Sequence, residues 1–158
     1  MKLLIVAVSG RQPAWLEDGV KDYLHRFPKD WSVEIKTVKP ESRQTGKTVE
    51  QMMLLEAQRI ESALPSGCWR VVLDEKGQGL STKVFAEKLQ AWQQSHPSIV
   101  FIIGGPDGLA SLVKQTAHTC LRLSDMTLPH GMTKLILAEQ LYRAYSLLEG
   151  ILIIGSEL

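Results

Sequence analysis

The residues best suited to chemistry lie in "SIVFIIGGPDGLA", positions 98–110, where a near-continuous apolar run ends in Gly104, Gly105 and Gly108. Such a run reads as a strand buried on both faces of a parallel sheet. Glycines at its carboxyl end let a ligand approach main-chain N–H and C=O groups closely, at the edge where open α/β sheets bind ligands. The spacing fits neither G-x-G-x-x-G nor G-x-x-x-x-G-K-[ST], which argues against a dinucleotide site and a phosphate-binding P-loop. Taken alone, the segment reads better as a plain strand-to-helix turn.

"LSDMTLPH", from Leu123 to His130, is a second loop at a strand's end, and the two loops together suit a small ligand better than either does alone. Metal chemistry finds no support. His25, His96 and His118 are scattered, none pairing with another at ligand spacing, and Cys68 and Cys120 lack CxxC spacing. Both cysteines read as structural thiols of a reducing compartment.

The elements that must position these loops alternate between β-type and helical patterns, the signature of an α/β domain with a largely parallel sheet. Leu3 to Val8 reads as the first strand; the apolar run of "MKLLIVAVSG" is too brief for a secretory h-region. Pro13 then sits where a helix can begin, with Trp15, Leu16, Val20, Tyr23, Leu24 and Phe27 at helical spacing for core packing. "WSVEIKTV" alternates as a half-exposed strand, and Thr48 with Gln51 has capping-box spacing ahead of the next helix, closed by Pro65-Ser66-Gly67. "WRVVLDE" reads as a strand and "STKVFAEKLQAWQQS" as a helix. In the last helix, Leu135, Ile136, Leu137, Ala138, Leu141, Ala144, Leu147 and Leu148 coat several faces, which points to a dimer interface, with burial inside one chain as the alternative.

The chain has 158 residues, 44% hydrophobic and 22% charged, and is expected to form one domain over residues 1–158 with a core of real size. No stretch approaches the ~20 apolar residues that span a bilayer. A net charge of +1 is not that of a general nucleic-acid binder, so any RNA contact must rest on a local patch. The best is "KTVKPESRQTGK", where Lys36, Lys39, Arg43 and Lys47 face one carboxylate, Glu41; a solvated loop is the plainer alternative.

"FIIGGPDGL", "LSDMTLPHGMTKLILAEQLYRA", "MKLLIVAVSG" and "YLHRFPKD" resemble the ribosomal RNA large subunit methyltransferase H family over Met1 to about Gly150. The resemblance implies a SPOUT-type α/β fold, a largely parallel sheet flanked by helices, whose C-terminal segment threads a loop to make a trefoil knot. It implies a cytoplasmic homodimer that uses S-adenosylmethionine to methylate N3 of a pseudouridine in 23S ribosomal RNA within the ribosome. Carried across residue by residue, the donor should touch Leu73, Gly104, Leu123, Ser124, Asp125, Met126, Thr127 and Leu128. Methyl transfer from a sulfonium needs alignment and removal of the N3 proton, so a base or a cation near the donor would help. His130, Glu139 and Arg143 are the candidates, with a structural hydrogen bond as the other role for His130. Lys39, Arg43, Lys47 and Lys134 are candidate RNA contacts; Lys134 stands where the family usually has arginine, keeping the charge but losing the planar fork.

The family ordinarily closes with a polar Pro-Tyr-His-Arg/Lys segment, whereas residues 151–158 here read "ILIIGSEL". Codons CAT CCT TAT CAT CGG for His-Pro-Tyr-His-Arg, read one base late, give Ile-Leu-Ile-Ile, and the spare first C completes a GGC glycine codon. A one-nucleotide deletion near the Gly150 codon is therefore expected, and with it a rival reading: a dimeric donor-binding and RNA-binding module with impaired catalysis. Resequencing the gene should reveal the homologous tail in the neighbouring frame; an intact frame with no such tail beside it rules the deletion out.

Overall fold

The computed structural model describes residues 1–42, 44 and 46–151. The elements are β1 (Lys2–Val8), α1 (Ala14–Leu24), β2 (Ser32–Val38), α2 (Val49–Ala63), β3 (Trp69–Gly79), α3 (Thr82–Ser95), β4 (Ile99–Ile103), α4 (Ser111–Gln115), β5 (Thr119–Arg122) and α5 (His130–Leu148). All five strands pair in parallel in the order β2-β1-β4-β3-β5. Parallel neighbours cannot be joined by tight hairpins, so each connection crosses a face of the sheet, and each carries a helix.

The period-two geometry of a strand divides the core. Leu3, Ile5 and Ala7 of β1 pack on the side of α3 and α5, while Leu4, Val6 and Val8 pack on the side of α2 and α4. Every residue of β4 is buried, as its unbroken apolar run requires. The capping box of Thr48 and Gln51 forms as expected and starts α2.

Three expectations change. Trp15 is 65% exposed, because the buried arc of α1 runs through Leu16 and Val20 and leaves the preceding position outside. The strand read as "WRVVLDE" continues to Gly79, with a register irregularity between Leu73 and Gln78 opposite β5. Gly77 permits it: a Cβ there would stand 2.8 Å from the Cys120 and Leu121 backbone. Finally, α5 packs against both α1 and α3 as well as the sheet, which buries Leu137, Ala138, Leu141 and Ala144 within the chain, while Leu135, Ile136 and Leu148 stay half-buried and Leu147 exposed.

Around α5, Phe27 lies edge-on to Tyr142 at 5.7 Å, and Trp31 edge-on to Tyr145 at 5.0 Å. Cys68 is buried, and that burial raises its thiol pKa, as suits an inert structural thiol. Arg43 and residues 152–158, hence nearly all of the atypical tail, lie outside the described residues. Among the described residues no helix is long and apolar enough to cross a membrane, and no group of three His, Cys, Asp or Glu could hold a metal.

At the amino end of the sheet, His118 Nδ1 accepts the Arg70 backbone N–H at 2.9 Å and the ring stacks on Trp69. Desolvation, then the positive neighbours His96 and Arg70, hold its pKa below the ordinary 6.5. The unfolded chain therefore binds this proton more readily, so the contribution is full above pH 6.5 and lost as pH falls through the depressed folded value. Thermal melts from pH 7.5 down to 5.5 should show a smaller fall for His118→Phe than for the parent chain; equal slopes would remove His118 from the account.

Candidate functional site

At the carboxyl edge of the sheet, the ends of β3, β4 and β5 and their loops enclose a cavity of about 500 Å³. That volume lies within the range of small-ligand sites, roughly 300–1,000 Å³. Leu73 enters from the β3 irregularity, Gly104 and Gly105 from the end of β4, and Leu123, Ser124, Met126, Thr127 and Leu128 from the loop after β5. All the residues carried across for the donor therefore line one cavity, except Asp125. Its side chain is 87% exposed and pairs with Arg122 at 2.9 Å, so it stabilises the loop from outside.

The turn at Gly104 is built on close approach. A Cβ on Gly104 would stand 2.7 Å from the Gly108 carbonyl carbon and 2.8 Å from Leu109 Cγ. Gly108 has φ +81°, which side-chain-bearing residues rarely adopt, and its N–H closes the turn on Gly105 O at 3.0 Å. Leu73, Leu109, Leu121, Leu123 and Leu128 supply apolar wall, and exposed Met126 stands at the mouth. The composition suits a ligand with a flat apolar part and a polar edge.

Sequence reasoning missed Asp74 and Lys114, which also line the cavity and pair at 3.2 Å. Burial opposes ionisation of Asp74, but the Lys76 backbone N–H and the Lys114 ammonium outweigh it and hold the carboxyl below its ordinary value. The signal was thin: α4, which carries Lys114, is one short turn with little periodicity.

The three candidate catalytic residues separate. His130 lines the cavity, and its Nε2 lies 2.8 Å from the Val8 carbonyl oxygen. A carbonyl can only accept, so Nε2 carries the hydrogen and Nδ1 is the nitrogen left to act as a base. The hydrogen bond foreseen for His130 is thus present and compatible with chemistry. Glu139 and Arg143 instead pair with each other at 2.7 Å and line a separate hollow between α3 and α5, beside Thr82 and Gln140.

The RNA candidates separate too. Lys134 is 4% exposed, with Nζ 3.7 Å from Glu17 Oε1, so its ammonium ties α5 to α1 and is not presented to a polyanion. Lys39 stays on the surface of the β2–α2 loop. Lys47 is ion-paired to Glu41 at 2.6 Å, and Arg59, unforeseen, joins from α2. These two cations, Lys47 first, hold the Glu41 carboxyl below its ordinary pKa.

A parallel sheet with a small-ligand cavity walled by strand-end loops defines an α/β enzyme-like site, and the comparisons name its class. A family model described as predicted SPOUT methyltransferase matches residues 1–151, and the chain belongs to this SPOUT methyltransferase family. Several relatives are proteins named Ribosomal RNA large subunit methyltransferase H. The one from Methylibium petroleiphilum is 55% identical over 150 residues, 95% of this chain and 96% of its own length. Those from Ralstonia pickettii and Bordetella pertussis are 50% and 46% identical, covering 93% and 94% of this chain and 94% and 95% of their own. A solved structure of a probable methylase family protein from Haemophilus influenzae superposes with a TM-score of 0.56 at 15% identity, over 94% of this chain and 68% of that one, and so shares the fold. The chain is a methyltransferase.

The turn geometry separates two neighbouring glycines. Gly104→Ala forces a Cβ against backbone and should cost about 1–3 kcal/mol. At Gly105 the nearest atom to a Cβ is Val8 Cγ1 at 3.2 Å, a contact that side-chain movement can relieve, so Gly105→Ala should cost less. Urea denaturation of both variants reads the difference; equal losses would mean the turn is looser than described.

Proposed function

We propose that the chain methylates N3 of a pseudouridine in 23S ribosomal RNA of the large ribosomal subunit, with S-adenosylmethionine as donor, acting as a cytoplasmic homodimer. The observation that carries this reading is the strand-end cavity with His130 on its wall and Nδ1 turned over to base chemistry by the Nε2–Val8 contact. Membership of the SPOUT methyltransferases and the names of the relatives support the donor and the RNA substrate. Matches of 46–55% identity over nearly the whole chain favour the enzyme over a binding module without catalysis.

When bound, S-adenosylmethionine supplies a methyl group already activated by a sulfonium. The apolar side chains of Leu73, Leu123 and Leu128 suit its adenine, and main-chain groups of the Gly104–Gly108 turn suit its polar edge. His130 Nδ1 takes the N3 proton as nitrogen gains the methyl group, and the Val8 carbonyl then receives a stronger hydrogen bond from the imidazolium. Holding both reactants in line is the larger contribution, because oriented reactants remove much of the entropic barrier. On the RNA side, Lys39, Arg43 and Lys47 remain the proposed contacts, joined by Arg59; Lys134, Glu139 and Arg143 are given structural roles.

The test is calorimetry with S-adenosylmethionine beside a methylation assay on ribosomes lacking the modification. His130→Gln keeps an N–H for Val8 but offers no base, and should lower kcat about 10²–10⁴-fold with donor affinity nearly unchanged. Failure of the parent chain to bind the donor refutes the assignment; a kcat within a few fold in the variant refutes the base.

A further inference from the structure

Glu56 sits on α2, outside the donor cavity, and is only 3% exposed. A buried carboxylate is retained at a cost unless its oxygens are engaged. Its Oε2 accepts the Glu41 backbone N–H at 2.8 Å, at the head of the basic β2–α2 loop. The same carboxylate abuts the donor turn: a Cβ on Gly105 would stand 3.4 Å from Oε1 and 3.8 Å from Oε2. Gly105 lines the cavity, and its carbonyl accepts the Gly108 N–H that closes the turn.

The other side of the connection is electrostatic. Glu41 holds Lys47 at 2.6 Å and Arg59 at 2.5 Å, and Arg59 also donates to the Lys39 carbonyl at 2.8 Å. The cations proposed to meet phosphate thus grip Glu41, whose main chain rests on Glu56, which rests on the donor turn. A phosphate competing for Lys47 and Arg59 acts on the first link of that series. The first two links are direct polar contacts, the third is the proximity of the Glu56 carboxylate to Gly105, and Glu56 is almost fully buried between them.

We propose that Glu56 is a positioning residue that couples the basic β2–α2 loop to the donor turn, so that the state of the RNA-contacting loop and the affinity for donor are linked. The inference rests on the reading of the cavity as the donor site. Linkage of this kind is reciprocal: whatever the loop does to donor binding, donor binding does to the loop.

Hydrogen exchange on the donor-free protein tests the strut, and calorimetry with S-adenosylmethionine tests its consequence. In Glu56→Ala, amide exchange should speed up about tenfold both at Glu41 and at Gly108, and donor affinity should fall about tenfold, in line with ordinary coupling strengths. Glu56→Gln keeps an oxygen for the Glu41 N–H and should restore all three readouts to within about threefold. Glu56→Asp, with its arm one methylene shorter, replaces the alanine variant if that does not fold. Faster exchange confined to Glu41, donor affinity within twofold of the parent, or a folded glutamine variant as impaired as alanine would each overturn the proposal. If the parent chain binds no donor, the functional reading fails, and the exchange measurements still decide whether Glu56 joins loop and turn.

Discussion

A hydrogen bond between residues near opposite ends of the chain closes the site: His130 Nε2 on the Val8 carbonyl, at 2.8 Å. β5 is the outermost strand beyond β3, whereas β1 lies on the far side of β4. To bring His130 to Val8, the segment from Leu123 to Pro129 must pass over the carboxyl ends of the strands between. That crossing makes the cavity, because its side chains then face Leu73 and the Gly104 turn across a gap. A loop hydrogen-bonded only to its own strand would leave an open shelf.

Helix α5 holds the crossing in place. Its Leu137, Ala138, Leu141 and Ala144 have no exposure, and burying a leucine side chain contributes about 1.5–3 kcal/mol. With α1 on one flank and α3 on the other, α5 cannot shift without breaking two helix contacts and the aromatic group of Phe27, Trp31, Tyr142 and Tyr145. Lys134 joins α5 to Glu17 of α1 from inside this packing. The position of the candidate base is therefore a consequence of helix packing far larger than any interaction His130 makes itself.

Charge is used locally. A chain of net charge +1 gathers Lys47 and Arg59 on a single carboxylate, Glu41, with Lys39 exposed on the same loop. Ion pairs whose cations are this exposed add little stability, so their value lies in shaping the patch. The loop is fastened to the body by a main-chain hydrogen bond onto a buried acid, an interaction that salt screens far less than the pairs above it.

Residue patterns alone determined a good deal: the five strands, the helices α1, α2, α3 and α5, a fully buried β4, the capping box that starts α2, and the two loops that meet at the site. These features are local, written in period and turn chemistry, and apolar periodicity reports them directly. The resemblance supplied the donor contacts, which the structure brings to one cavity apart from Asp125. Only tertiary structure decided the rest. Helical spacing places Trp15 beside Leu16 but does not say which side meets α5, and a lysine in an apolar helix reads as exposed until its neighbours bury it. Glu139 and Arg143 lie soon after His130 in sequence, yet the rotation of α5 turns them toward α3 and away from the cavity. The tautomer of His130 depends on Val8, and the reach of Glu56 depends on Gly105, partners that no local pattern connects. Which atoms meet across the fold is a property of the packed chain, because contacts between distant residues exist only once the sheet and helices are in place.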